Sequence, residues 1–170
     1  MPKSLILFLL VSIGLAACSG QGQHPSSQES LVLDSSRNDR NDVSSADLWS
    51  RIGALPAQRV PPGSCGLFLW ANMPDRALVF YSDNATSTGA IQLDGQQIIL
   101  PRSEAMGETR LGQFLRQTFE NDQLLVAVSF HAEVREGLSK GAIVREGTLR
   151  IEEKSGWEIV APVAGLIGCN

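Results

Sequence analysis

The sequence predicts a mainly β protein: a small antiparallel barrel or sandwich of about seven strands with one or two short helices. It places that fold after a signal peptide and a flexible tether. Three observations lead there. From Cys65 onward, short apolar runs rich in aromatic and β-branched residues recur between turn signals. The first seventeen residues form an apolar leader behind Lys3. Between the two, residues 19–44 offer only Leu31, Val32, Leu33 and Val43 as large apolar side chains.

The leader comes first. Leu5 to Ala17 is apolar except for Ser12 and Gly14. A membrane-spanning helix needs about 20 apolar residues, so the run has the length of a secretory core instead. It ends in Leu15-Ala16-Ala17-Cys18, which resembles the lipobox of bacterial lipoproteins. That resemblance implies cleavage before Cys18, a diacylglyceryl group on its sulfur and acylation of the new amine. Several acyl chains at about 0.8 kcal/mol per buried methylene would hold the chain at a membrane. By the same resemblance Ser19, standing where an aspartate in enterobacterial lipoproteins favours inner-membrane retention, implies the outer membrane, with the domain expected in the periplasm. The expected layout is residues 1–17 as signal peptide, 18–44 as lipidated tether and 45–170 as one β-rich domain.

The tether composition cannot bury enough surface to offset the entropy of ordering. Its Leu31-Val32-Leu33 triplet reads as an incidental apolar cluster or, less simply, as a docking strand. Leu48, Trp49 and Ile52 then suit one face of a short helix beginning near Ser44 and ended by Gly53 and Pro56. Trp49 is expected to face the domain.

With Cys18 assigned to lipid, Cys65 and Cys169 remain as a pair in an exported, oxidising setting. A disulfide between domain entry and exit is the simplest account. Buried free thiols or an interchain bond are the alternatives. His24 and His131 add no zinc-ligand spacing, and no metal or cofactor is expected.

Within the domain, "CGLFLWA" and "ALVFYS" read as strands apolar on both faces. Asp94-Gly95 suits a two-residue type I′ hairpin turn. "QLLVAVSFHAEVRE" alternates, with Ser129, His131, Glu133 and Arg135 on its polar face. "GTLRIEE" and "GWEIVAPV" read as a second hairpin around Lys154-Ser155-Gly156. Residues 101–122 suggest a loop followed by a short helix, because Leu111, Phe114, Leu115 and Phe119 approximate a helical stripe. "VREG" at 134–137 and 144–147 suggests two strands ending in similar turns, though not a repeat architecture.

Chemistry is sparse. Ser129, His131 and Glu133 are hydrolase residue types, but neighbours two apart on a strand sit about 6.5–7 Å apart. A nucleophile and its base need about 2.6–3.2 Å. Glu152-Glu153 reads as solvated surface, and Gly137, Gly141 and Gly147 match no phosphate-binding spacing. The lack of a basic patch or stripe argues against a nucleic-acid partner, and the formal charge of −4 fits an envelope domain. The aromatic set Phe68, Trp70, Tyr81 and Trp157 is the candidate contact for a partner or ligand, with plain burial as the simpler reading.

The lipid anchor, the domain size and the placement of Cys65 and Cys169 resemble the membrane-bound lysozyme inhibitors of Gram-negative bacteria. The resemblance implies a small antiparallel barrel with a disulfide between its ends. It stops there: where "RSEAMGETR" stands, that family's serine- and glycine-rich inhibitory motif is absent, so no inhibitory residue carries over. The expected function is a non-enzymatic outer-membrane lipoprotein that binds or supports an envelope protein or peptidoglycan. An envelope hydrolase, or a barrel binding a small ligand within, is the alternative.

Overall fold

A computed structural model describes residues 49–71, 76–135, 137–138 and 140–170. The leader, Cys18, the tether with its Leu31–Leu33 triplet, and the start of the short helix lie outside the described residues. The fold is a closed antiparallel barrel in which each strand pairs with its sequence neighbours and the last pairs with the first. Its eight strands are β1 Cys65–Ala71, β2 Leu78–Asp83, β3 Thr88–Leu93, β4 Gln96–Arg110, β5 Gln113–Glu120, β6 Leu124–Glu133, β7 Gly141–Glu153 and β8 Glu158–Cys169. The barrel is therefore the form adopted, rather than the sandwich.

Alternation along each strand fills the interior. Leu67 and Leu69 of β1, Phe80 of β2, Ile91 of β3, Leu100 of β4, Phe119 of β5, Val126 of β6, Leu149 and Ile151 of β7 and Ile167 of β8 are all buried in one cluster. An eight-stranded barrel is just wide enough for side chains to fill. Outward positions on β4–β7 carry Glu104, Arg116, Glu133 and Arg150, all exposed. Apolar inside and charged outside is the reverse of a membrane-spanning barrel.

Two turns follow the sequence reading. Asp94 and Gly95 both have positive φ, 50° and 77°, as a type I′ turn requires. Gly156, with φ 99°, closes the β7–β8 hairpin. Residues 101–122 depart from it. They form most of the β4–β5 hairpin, turning at Leu111-Gly112 with φ 49° and 76°. Of the Leu111, Phe114, Leu115 and Phe119 stripe, Leu111 sits in the turn and the rest in β5, where Leu115 and Phe119 face the core with Gln113 and Gln117. The second "VREG" also differs. It forms a bulge inside β7, where the register shifts between Val144 and Gly147. A bulge adds a residue on one strand and bends it.

Each end of the barrel is closed differently. At the end holding the 94–95 and 154–156 turns, Trp49, Ile52 and Trp157 pack against the core. Trp49 and Ser50 are the helical residues described there. Arg51 clasps this end by donating to Asp94 from Nε (2.9 Å to Oδ1) and to Glu153 from Nη2 (2.7 Å to Oε1). Its guanidinium also lies 4.4 Å from the Trp157 ring centroid. Residues 53–64 then run as a strap up the outer wall of β1–β3. Gly53 N donates to Gln92 O, Leu55 N to Leu78 O, and Gly63 N to Asn170 O. Leu55, Tyr81 and Ala90 form a small second cluster beneath the strap.

Candidate interaction surface

The barrel closes where β1 meets β8. Seven residue pairs align from Cys65↔Cys169 to Ala71↔Val163, and Cys65 and Cys169 are joined by a disulfide. The strands approach tightly at Gly165, where a Cβ would overlap the Phe68 carbonyl oxygen. Gly165 lies opposite Val144 at the β7 bulge. Bulge and glycine together let β8 lean onto β1.

The outer face of this seam is apolar. Phe68 and Trp70 of β1 point outward opposite Leu166 and Ala164 of β8. Their rings stack at 6.1 Å between centroids with a 20° tilt. Leu166 is 40% exposed, and Val160 lower on β8 is 57% exposed. The strap packs the Leu55, Tyr81 and Ala90 cluster against Phe68 and meets the end of β8 at Asn170, leaving Trp70 and Ala164 half-buried and Leu166 exposed. Residues 53–71 and 159–170, the strap and the seam strands, contain one charged side chain, Arg59. Two shallow hollows flank the strip. One of about 640 Å³ lies between Arg59, Val60, Pro61, Pro62 and the β8 end. The other, about 500 Å³, is lined by Trp70, Ala71, Arg76, Ala164, Gly165 and Leu166.

The four aromatic candidates thus fall in three places. Phe68 and Trp70 share the seam face. Tyr81 is buried under the strap, 5.0 Å from the Phe68 ring, and its hydroxyl donates to Arg59 O. Burial, then the Asp83 carboxylate, pushes the Tyr81 phenol above its ordinary value. Trp157 belongs to the Arg51 clasp. Phe68 and Trp70 therefore line no inner chamber, and the interior is occupied by the core.

The opposite mouth of the barrel holds a polar network. Gln113 is fully buried; its Nε2 donates to Cys65 O at 2.9 Å, and its Oε1 accepts from Ser82 Oγ and Gln117 Nε2. Gln117 Oε1 in turn accepts from Arg102 Nη1. Among the described residues no buried side-chain polar atom lacks a partner. Because β5 lies four strands from β1 in a ring of eight, the Gln113–Cys65 bond draws the β4–β5 hairpin across the mouth.

That lean parts β5 from β6. Their pairing stops at Arg116↔Ser129 although β6 continues to Glu133. A cleft of about 610 Å³ results, lined in part by Glu108, Leu115, Arg116, Ser129, His131 and Glu146. Here Ser129, His131 and Glu133 all face outward on β6, and no hydrogen bond joins any two of them among the described residues. Glu133 instead accepts from Arg145 Nε at 3.0 Å. The strand spacing keeps the three apart, and they form no relay.

Sequence reasoning missed the β8 half of the seam face and the network at the mouth. The signal for the first is the long charge-free stretch from Ile159 to Asn170. Nothing in the sequence marks Gln113. Comparison with protein families, with curated proteins and with solved structures finds no match.

Proposed function

We propose that the chain is a non-enzymatic envelope lipoprotein, lipidated at Cys18, whose barrel docks through the β1–β8 seam face onto another envelope component. The observation that carries this reading is the contiguous strip of Phe68, Trp70, Ala164 and Leu166, which holds no charged side chain. Apolar patches of that kind on a soluble fold mark interaction sites. The filled interior and the separated Ser129, His131 and Glu133 favour binding over catalysis or an internal ligand. The lipobox resemblance and the polar stretch behind it support a tethered module with reach.

Two experiments test it. Metabolic labelling with a fatty-acid analogue should mark the wild-type chain and spare Cys18→Ala. A photo-cross-linking residue in place of Leu166 should capture a defined envelope component in cells, whereas one in place of Lys154 should not. An unlabelled wild-type chain would remove the anchor, and equal capture from both positions would remove the docking face.

A further inference from the structure

On the reading that the chain is held at a membrane, the geometry points to the anionic surface of the bilayer itself as what the seam face meets. Four features favour lipid over protein. Arg59 and Arg76 are exposed, stand at the two flanking hollows, and have no side-chain partner among the described residues. Residues 53–71 and 159–170 carry no carboxylate side chain, the nearest in sequence being Asp75 and Glu158. Trp70 has the apolar body and polar tip that suit the headgroup boundary. The outward side chains between the arginines are Phe68, Trp70, Pro162, Ala164 and Leu166, which offer only the Trp70 indole N–H for hydrogen bonding. A protein interface ordinarily carries about one hydrogen bond per 100–200 Å², so this strip suits hydrocarbon better than a partner chain.

Exposed Glu104, Glu108 and Glu120 stand on β4 and β5, opposite the seam, while Glu146 on β7 and Glu158 at the start of β8 lie nearer to it. With the seam on the membrane, β4 and β5 lie farthest from it, and the parting between β5 and β6 opens on the side away from the bilayer. The lipid on Cys18 would then add to a second, weaker membrane contact. Anchoring by two signals is the physical requirement for lasting attachment.

The test uses the chain from residue 18 onward carrying Cys18→Ala, so that no acyl group contributes, and vesicles of phosphatidylethanolamine mixed with phosphatidylglycerol. Co-sedimentation is expected with these vesicles and much less with phosphatidylcholine alone. Arg59→Gln combined with Arg76→Gln should weaken binding about thirtyfold. Leu166→Asp, an outward change that leaves the core intact, should abolish it. In a Trp49→Phe, Trp157→Phe chain, brominated lipid should quench Trp70. In a Trp49→Phe, Trp70→Phe chain it should leave Trp157 bright. If either tryptophan variant fails to fold, the Leu166→Asp comparison in the otherwise unchanged chain decides. Absence of vesicle binding, or binding that Leu166→Asp leaves unchanged, overturns the inference. Should vesicles fail while cross-linking at position 166 captures one protein, the bilayer falls and the docking face stands. Should vesicles succeed while Cys18 takes no label, the lipid anchor falls instead.

Discussion

Individual side chains hold the two ends of the barrel by opposite physics. At the clasped end, the Arg51 guanidinium holds the Asp94 and Glu153 carboxyls below their ordinary values, chiefly through direct hydrogen bonds. A carboxyl whose folded value is depressed adds stability above its unfolded value and loses that contribution as pH falls through the folded one. The clasp should therefore be complete at neutral pH and fade below about pH 4. Melting temperature followed from pH 7 to acid should fall more steeply for wild type than for Arg51→Met. Matching acid limbs would show that the clasp adds nothing to stability. At the mouth, Gln113 sits out of water with all its bonds internal. Gln113→Ala would strip partners from the Cys65 carbonyl, Ser82 and Gln117. The expected loss is about 1–3 kcal/mol, read from urea unfolding. His131→Ala, by contrast, changes an exposed group with no bond among the described residues and should stay within about 0.5 kcal/mol of wild type.

Strands and turns show where local sequence was sufficient. The Asp94-Gly95 and Lys154–Gly156 turns were legible because their residues tolerate the left-handed backbone that tight hairpins need. The β4–β5 hairpin was not. Its turn uses Leu111, a residue that rarely takes positive φ. Leu111 packs against the core from that conformation, so tertiary contact offsets the local cost and leaves no composition cue. The helical stripe suggested there arose because a turn residue, Leu111, followed by the strand residues Phe114 and Phe119 mimics a longer period. At the seam, close approach makes Gly165 indispensable. Gly165→Ala would set a methyl against backbone rather than a yielding side chain. A cost of about 1–3 kcal/mol is expected, measurable as a drop in the urea midpoint. A variant as stable as wild type would mean that β8 can slide off β1 without penalty.

Across the whole molecule, closure into a barrel rather than a sandwich was not readable, while the bond between entry and exit was readable from the cysteines. Their positions at the domain's entry and exit anticipated the Cys65–Cys169 bond between first and last strands. The apolar seam face was only half readable. Phe68 and Trp70 stood out as aromatics, but Ala164 and Leu166 gain meaning only once β8 lies beside β1. The bond spans a sequence separation of 104, and loop-closure entropy for that length is worth about 4–5 kcal/mol. Thermal unfolding with and without reductant, alongside Cys65→Ser with Cys169→Ser, should reveal a loss approaching that size. A much smaller loss would mean that the β1–β8 ladder alone governs closure.

The strap gives that same bond a mechanical role. Tension on the chain ahead of Trp49 would load the Arg51 clasp first and, once it yields, peel residues 53–64 from the wall one hydrogen bond at a time. Unzipping in sequence takes less force than shearing all bonds together. The peel then arrives at Cys65, where a covalent bridge to the neighbouring strand halts it. Twelve residues freed at about 3.4 Å each give at most roughly 40 Å of extended chain while the barrel stays shut. The molecule thus has slack to give under load, and a stop at the end of it.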